Sequence, residues 1–262
     1  MKKSLSEDVN EKLESNLNKR LFAKSKTRFF DGFERNKVVN QVLDKTTMLT
    51  IYEMINSHII EYVNGIIKAG KESVLFWAID QNQKDIALKV YLVSTSNFKR
   101  RKPYIIGDPR FSKIKKGTRN LVYLWAQKEF SNLKRCYELG LPVVRPIHVS
   151  RNVLVIDFVG KEGVPAKTLV ETPVDINDYQ TAISILRRLY QEAKLVHGDF
   201  SEFNIFKTEN GLVVFDLGSA VDLQHPNAID FLKRDINNIT KFFVKRGLTV
   251  QHPSDVLAKV IR

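Results

Sequence analysis

The chain has 262 residues, and its 42 Lys and Arg against 29 Asp and Glu give a net charge of +13 at pH 7. This length can bury one sizeable core or two small lobes that share a cleft, and the charge favours a polyanionic partner such as nucleic acid. The only cysteine, Cys136, excludes an internal disulfide and a cysteine-based zinc site. The sequence has no apolar run of the roughly 18–20 residues that span a membrane and no signal-peptide pattern at its start. We therefore expect a cytoplasmic protein without a membrane partner.

The first part of the chain is predicted to be helical. Residues 1–35 are strongly charged, with apolar residues every four positions from Val9 to Leu21, which indicates a narrow helical stripe. A solvated tail explains the first dozen residues equally well. Better helical patterns follow at 38–43 and, after a capping sequence that starts at Asp44, at 49–55. We predict that residues 1–58 form a helical extension that packs on the rest of the protein.

A pattern of strands begins at Ile59. Short apolar segments joined by turns predict an antiparallel sheet, with an Asn64-Gly65 turn and strands at 59–63, 66–67, 72–79 and 85–93. Lys89 lies among apolar residues of the last strand, where a lone ammonium would be costly and needs a partner. The alternative is that strand alternation places Lys89 on a solvent face.

Residues 97–119 are polar and strongly basic. They contain nine Lys or Arg residues and a single acid, Asp108. This composition predicts a loop with a positive field, able to contact phosphate backbones or an acidic substrate. An ordinary solvated loop is an equally good interpretation.

The next patterns divide the chain into two lobes. A helix is predicted over 121–139, with Cys136 as a small core or boundary residue and Glu129 as the candidate partner of Lys89. Strands at 143–149 and 153–158 then complete a first lobe, residues 59–159, which closes at Gly160. Helices at 181–194, 228–244 and 256–261 are predicted for a second lobe, residues 160–262.

A predicted hairpin organises the candidate site. Its strands, Asn204–Lys207 and Leu212–Phe215, are joined by a turn that ends in Asn-Gly, a strong hairpin signal. Asp199 and Asn204 stand at the start of the first strand, and Asp216 follows the second. The three oxygen-bearing side chains should therefore lie together at one end of the hairpin.

These residue types suit phosphoryl transfer. One acid, Asp199, could accept a hydroxyl proton, while Asn204 and Asp216 hold Mg²⁺ on the phosphates of a nucleotide. The spacing matches the kinase catalytic pattern H-x-D-x-x-x-x-N followed by D-x-G. We interpret His197 as a structural residue and give it no chemistry. The competing interpretation is a surface hairpin with ordinary turn residues.

The order Lys89, Glu129, Asp199, Asn204, Asp216 resembles that of a protein kinase reduced to its core. Only about 45 residues follow Asp216, no Ala-Pro-Glu motif is present, and the usual glycine-rich loop is missing. These departures resemble the RIO family of atypical serine/threonine kinases, closest to the first RIO branch in a short, archaeal-like form. The resemblance rests on these stretches: Gly70-Lys-Glu72, Ala87–Tyr91, Gly107-Asp108, Arg110-Phe111, Trp125-Ala-x-Lys-Glu129, Leu154–Gly160, His197–Asn204, Phe215–Val221, His225-Pro226 and Arg234-Asp235.

The resemblance implies an α+β, two-lobed kinase-like fold. In it, an antiparallel sheet and one long helix form the N-lobe, the helical C-lobe is reduced, and extra helices precede the core. It also implies ATP with Mg²⁺, or alternatively Mn²⁺, autophosphorylation on Ser/Thr, and work on the small ribosomal subunit and its rRNA. The implied roles are catalysis by Asp199 and Asp216, metal binding by Asn204 and Asp216, and ATP binding by Lys89, Glu129, Gly70 and the backbone of Asp157 and Val159. Asp216 is further implied as the acceptor of an aspartyl-phosphate in an ATPase switch.

One departure from the family pattern concerns the phosphate loop, where Lys68-Ala69 replaces the usual Ser-Thr before Gly-Lys-Glu. Two hydroxyls are absent and one cation is added, so phosphate binding there should be more electrostatic. Two other functions remain open. One is a small-molecule phosphotransferase of the aminoglycoside or choline kinase type, and the other is a non-catalytic ribosome-binding module.

Overall fold

A computed structural model describes residues 43–93, 101–111 and 117–262. The charged arm and nearly all of the helix predicted at 38–43 lie outside the described residues. Parts of the basic segment, residues 97–100 and 112–116, lie outside them as well.

Five strands form the sheet of the first lobe. They are Tyr62–Ala69 (β1), Ser73–Ile79 (β2), Asp85–Tyr91 (β3), Pro146–Ser150 (β4) and Val153–Asp157 (β5). Their order is β1-β2-β3-β5-β4, and every neighbouring pair is antiparallel. The predicted antiparallel sheet is therefore confirmed.

The predicted turn at Asn64-Gly65 is wrong. Strand β1 continues through both residues, and Gly65 pairs with Trp77 of β2. The register shifts between Val63 and Gly65 and again between Ile66 and Lys68. A bulge accommodates an extra residue without ending a strand. The Asn-Gly dipeptide, which often forms a hairpin turn, here lies at an irregularity within a continuous strand.

Two helices cover the faces of this sheet. Helix α1, Lys45–Asn56, is capped by the Asp44 side chain, which accepts from the Thr47 N–H, and its buried Ile51 and Met54 pack with the sheet residues of one core cluster. Helix α2, Thr118–Glu138, buries Trp125 and Cys136 in a second cluster that continues into the other lobe. Burial raises the pKa of the Cys136 thiol to about 12, as expected for an inert core residue.

The second lobe is small and mostly helical. Its helices are Ile176–Gln191 (α3), Ala228–Lys245 (α4) and Pro253–Ile261 (α5), and its short strands are Gly160–Lys161 (β6), Val164–Pro165 (β7), Leu195–Val196 (β8), Ile205–Thr208 (β9), Gly211–Val214 (β10) and Val221–Asp222 (β11). The short strands pair as β6–β7, β8–β11 and β9–β10. The architecture is the predicted α+β, two-lobed one, while the boundaries at residues 58/59 and 159/160 stay predictions.

Two predicted elements have different bounds in the structure. Helix α3 begins five residues before the predicted Thr181, because Asp175 caps it by accepting from the N–H groups of Asn177 and Asp178. The strand predicted from Val143 starts only at Pro146, since Val143 instead bridges to Val214 of the second lobe. Across the described ranges, no helix is long and apolar enough to cross a membrane.

A hairpin that follows the lobe junction is fastened to the sheet. The carboxylate of Asp85 accepts from the Trp77 indole N–H at 2.7 Å and from the Glu162 backbone N–H at 3.2 Å. Gly163 lies under the Trp77 ring, with φ +78°, and a Cβ there would come within 2.6 Å of a ring carbon. The connection between the lobes therefore depends on a glycine that lets the β6–β7 turn approach Trp77.

We expect Gly163→Ala to destabilise the protein more than Gly247→Ala. Both glycines have a similar positive φ, +78° and +85°, but a Cβ at Gly247 meets nothing within 4 Å. Gly247→Ala should lose only about 1–2 kcal/mol of stability, because a residue with a Cβ is strained in the left-handed conformation. Gly163→Ala should lose more, because its Cβ must also displace Trp77. Urea denaturation followed by tryptophan fluorescence measures both losses, and equal losses would contradict the packing argument.

Candidate active site

The hairpin β9–β10 gathers three predicted site residues. Thr208 pairs with Gly211 across the turn, which confirms the predicted hairpin. At the open end, the Phe215 N–H donates to the Asn204 carbonyl at 3.2 Å, so the residues before β9 and after β10 stay together. Asp199 and Asn204 therefore approach the hairpin from one side and Asp216 leaves it at the same end.

Asn204 is oriented by Asp199. Its amide nitrogen donates to the Asp199 carbonyl at 2.8 Å and to the Asp199 carboxylate at 3.3 Å. Because the nitrogen is occupied in this way, the amide oxygen is the atom that remains for a ligand.

Lys89 joins the two lobes through a pair of acids. Its ammonium lies 2.8 Å from a Glu129 carboxylate oxygen on α2 and 2.9 Å from an Asp216 oxygen in the second lobe. The Lys89 side chain is 13% exposed and that of Glu129 is fully buried. The predicted pairing with Glu129 is confirmed, and the alternative of a solvent-facing Lys89 is wrong. The Tyr91 hydroxyl also contacts Glu129.

The Asp216 and Glu129 carboxylates share the Lys89 ammonium, and their pKa values shift in opposite directions. Burial opposes ionisation of Asp216, but the charges of Lys89 and Arg101 outweigh it and lower its pKa to about 2. Burial, together with the charge of Asp216, raises the pKa of Glu129 to about 8. The pKa of Asp199 is raised as well, by burial and then by Asp216, which makes Asp199 a better proton acceptor near neutral pH.

The backbone around Asp199 is held by residues whose role no sequence pattern predicted. The Asp235 carboxylate on α4 accepts from the N–H groups of Gly198 at 2.7 Å and Phe200 at 2.9 Å. Arg234 donates to the Gly198 carbonyl and to the Tyr104 hydroxyl. The only signal in the sequence was the Arg234-Asp235 pair within the family resemblance, because an acid that binds main-chain N–H groups leaves no spacing motif.

His197 has the structural role that its sequence position predicts. It is buried, its Nδ1 accepts from the Asp199 N–H at 3.3 Å, and burial lowers its pKa to about 4. A neutral imidazole with one nitrogen committed to the main chain supports the loop rather than transferring protons.

Two of the predicted nucleotide contacts, Asp157 and Val159, lie at the end of β5, where the first lobe continues into the second. The Asp157 N–H donates to the Arg145 carbonyl, and the Val159 carbonyl accepts from Ala166. The groups left for a ligand are therefore the Asp157 carbonyl and the Val159 N–H. Gly70 lies in the β1–β2 turn, where its N–H already donates to the Ser73 carbonyl.

The described part of the basic segment is more ordered than a solvated loop. Arg101 binds Glu72 of the β1–β2 turn, with its guanidinium 4.3 Å from the Trp125 ring centroid. Arg110 binds Asp108, and Thr118 already begins α2. Arg101 and Arg110 therefore bind carboxylates of the protein itself, and fewer cations of the basic segment are left to contact a partner.

Comparison with known proteins decides the family. The profile of the RIO domain matches residues 74–256. The chain belongs to the RIO domain family. It is 39% identical over 235 residues to the RIO-type serine/threonine-protein kinase Rio1 of Haloferax volcanii, which covers 86% of this chain and 80% of that protein. Rio1 of Methanocaldococcus jannaschii is 38% identical over 250 residues, covering 94% and 83%.

Longer relatives and solved structures agree with this assignment. Human serine/threonine-protein kinase RIO1 is 36% identical over 218 residues, but the chain spans only 38% of it. The Rio2 kinase–ADP/Mg²⁺–phosphoaspartate complex of Chaetomium thermophilum superposes with a TM-score of 0.61 at 26% identity, over 82% of this chain and 66% of that one. The structure of Rio2 from the same organism gives a TM-score of 0.63 at 25% identity, over 80% and 65%.

The family resemblance inferred from the sequence is confirmed, including its likeness to archaeal members of the first branch. The chain is an atypical kinase by family, as its serine/threonine kinase relatives indicate. The aminoglycoside or choline kinase alternative has no support in this assignment. The site-residue roles stay predictions.

We expect Lys89→Met to destabilise the protein more at pH 8 than at pH 5. The raised pKa of Glu129 means that the folded parent holds a proton that the unfolded chain releases between about pH 4.5 and 8, so stability falls as pH rises through this window. Without the Lys89 ammonium, the pKa of Glu129 rises further and the pKa of Asp216 is no longer held down by that charge. The folded variant therefore binds more protons than the folded parent, and its stability falls by more over the same window. Urea denaturation should show a loss on the order of 3 kcal/mol at pH 8 and a smaller loss at pH 5.

Lys84→Met is the matched control, since Lys84 is an exposed lysine just before the same strand, β3. It should change stability little at either pH. If Lys89→Met lost the same amount of stability at both pH values, this would contradict the conclusion that Glu129 and Asp216 share the Lys89 ammonium.

Proposed function

We propose that this protein is an ATP- and Mg²⁺-dependent serine/threonine kinase that autophosphorylates and hydrolyses ATP during small ribosomal subunit maturation in the cytoplasm. The observation that carries the enzymatic part is the convergence of Lys89, Asp216, Asn204 and Asp199 where the two lobes meet. The retention of all four residues also argues against a non-catalytic binding module.

The junction of the lobes offers groups that suit the adenine and the phosphates of a nucleotide. At the lobe junction, the Asp157 carbonyl and the Val159 N–H supply one acceptor and one donor for an adenine edge. Lys89 supplies the cation for the phosphates, and Glu129 holds that cation in place at 2.8 Å. The β1–β2 turn at Gly70, with Lys68 and Lys71 beside it, adds positive charge where family members usually have hydroxyls.

The donor set fits a hard divalent cation. Asn204 presents an amide oxygen and Asp216 a carboxylate, which are the oxygen ligands that Mg²⁺ and Mn²⁺ prefer. Among the described residues, no three His, Cys, Asp or Glu side chains form a metal cluster by themselves, so nucleotide phosphates and water would complete the shell. When bound, the metal would neutralise phosphate charge.

Two acids would divide the chemistry. Asp199, with its raised pKa, would take the proton from a serine or threonine hydroxyl as that oxygen attacks the γ-phosphorus of ATP. For ATP hydrolysis, a carboxylate oxygen of Asp216 would attack the γ-phosphorus, forming an acyl phosphate and releasing ADP, and water would then cleave the acyl phosphate. The similar Rio2 kinase of Chaetomium thermophilum forms a complex of ADP, Mg²⁺ and phosphoaspartate, which supports this second reaction here.

The ribosomal part of the proposal rests on charge. The basic segment, residues 97–119, carries nine cations and one acid, and polyanions are bound through such clusters with release of counterions. With Arg101 and Arg110 engaged internally, the cations proposed to meet rRNA include Lys99, Arg100 and Lys102.

The enzymatic proposal is tested by labelling the protein with γ-³²P-ATP. Asp199→Ala should reduce the hydroxylamine-stable label on Ser/Thr by about a hundredfold or more, while ADP binding persists. Asp216→Asn should lose the hydroxylamine-labile label and ATP turnover together, because an amide is a poor nucleophile. Asp230→Asn, at an exposed carboxylate of α4, serves as the control and should label like the parent.

Persistent labile label in Asp216→Asn would assign the acceptor to another residue. Absence of any labile label in the parent would leave Asp216 as a metal ligand only. A parent that neither binds ADP nor takes up label would refute the kinase proposal.

The partner proposal is tested by the salt dependence of rRNA binding. Replacing Lys99, Arg100 and Lys102 with Ser should lower the slope of log K against log salt by about one for each phosphate that no longer meets a cation, with ADP affinity unchanged. The matched control replaces three exposed lysines of α4 with Ser, namely Lys233, Lys241 and Lys245. Filter binding over a salt series measures the slopes, and equal slopes for both variants would place RNA on another surface.

A further inference from the structure

Besides Glu129, helix α2 carries two more fully buried polar side chains, Lys128 and Asn132, one turn apart. Residues four apart lie on the same face of a helix, and this face meets the chain just after Asp216. The Lys128 ammonium donates to the carbonyl of Gly218 at 2.9 Å and to that of Ala220. The Asn132 amide donates to the carbonyls of Leu217 at 2.9 Å and Ala220 at 3.1 Å.

The ammonium of Lys128 is held in an unfavourable environment. Burial, followed by the positive charge of Arg110, lowers the pKa of Lys128 to about 7. Its hydrogen-bond partners are neutral carbonyls rather than a carboxylate. A methionine would fill a similar volume without the desolvation cost, so hydrophobic packing does not explain a lysine here. What the lysine provides is a pair of donors aimed at two main-chain oxygens.

Those oxygens lie next to the proposed metal ligand. The Gly218 N–H donates to an Asp216 carboxylate oxygen at 3.1 Å, and it belongs to the peptide whose carbonyl, that of Leu217, accepts from Asn132. The orientation of this peptide therefore sets the orientation of Asp216, while Lys128 fixes the next peptide through the Gly218 carbonyl. The space there is tight, since a Cβ at Gly218 would lie 2.8 Å from the Trp125 indole nitrogen and 3.0 Å from a Glu129 oxygen. A small rotation of this peptide would therefore change the direction in which the Asp216 carboxylate points.

A second layer holds Asn132 itself. The Arg110 guanidinium donates to the Asn132 amide oxygen at 2.7 Å and to both carboxylate oxygens of the buried Asp108. The amide is thereby fixed with its nitrogen towards Leu217 and Ala220. Each polar atom of the Asn132 side chain has a partner, which gives the clamp one geometry.

We propose that Lys128 and Asn132 are positioning residues for phosphoryl transfer, which clamp the backbone of residues 217–220 so that Asp216 faces the metal. This inference rests on the proposed function. It predicts a specific defect: the variants bind nucleotide normally without metal, but lose the strengthening that metal gives to nucleotide binding.

The test compares Lys128→Met with Lys134→Met, an exposed lysine of the same helix that lies 3.8 Å from Glu138. Calorimetry measures the Kd of ADP in EDTA and in Mg²⁺. In Lys128→Met, the Kd in EDTA should stay within about twofold of the parent, while the ratio of the two Kd values should shrink by about tenfold, a difference of about 1.4 kcal/mol. The Mg²⁺ concentration for half-maximal ATP turnover should rise in parallel, whereas Lys134→Met should match the parent in both measurements.

Asn132→Leu provides a second variant and should show the same defect if Lys128→Met does not fold. A folded variant with the parent ratio of Kd values would overturn the proposal. Failure of both variants to fold would overturn it too, because the clamp would then be a folding requirement. If the parent itself bound no ADP, the proposed function would fail instead, which keeps the two failures distinct.

Discussion

The contact between the Lys89 ammonium and two carboxylates holds the site together. Glu129 comes from α2 and Asp216 from the second lobe, at 2.8 and 2.9 Å, so one buried cation ties the sheet, the long helix and the hairpin end. Removing a buried cation from such a set leaves uncompensated charge. The lobes therefore keep their relative arrangement through electrostatics at the place where the phosphates are proposed to bind.

Local sequence signals predicted the hairpin of the candidate site, because a turn and two short strands are encoded by neighbouring residues. An Asn-Gly turn and strands of four residues are enough to bring Asp199, Asn204 and Asp216 to one end. The Lys89–Glu129 pair was predictable for a different reason, since an ammonium in an apolar strand must find an acid. In both cases a residue type and a short pattern were sufficient.

The remaining features depend on contacts between distant segments. The Asn64-Gly65 dipeptide has the chemistry of a turn, yet pairing with Trp77 keeps it inside a strand. Lys128 binds carbonyls some 90 positions away along the chain, and a carbonyl is the same for every residue, so no side-chain pattern reveals the partner. Arg101 and Arg110 appeared as part of a charge cluster, because composition does not say which cations already have acids beside them.

Helix α2 is fastened to both lobes, by Glu129 to Lys89 of β3 and by Lys128 to the chain after Asp216. Swinging it outward would strand a buried ammonium and a buried carboxylate together, which makes a displaced-helix resting form expensive. A compound that required helix α2 to be displaced would therefore have to offset this cost. Compounds that bind the proposed nucleotide site with helix α2 in place would not meet this cost, and Lys68 and Ala69 at the end of β1 are positions where this chain departs from the family pattern.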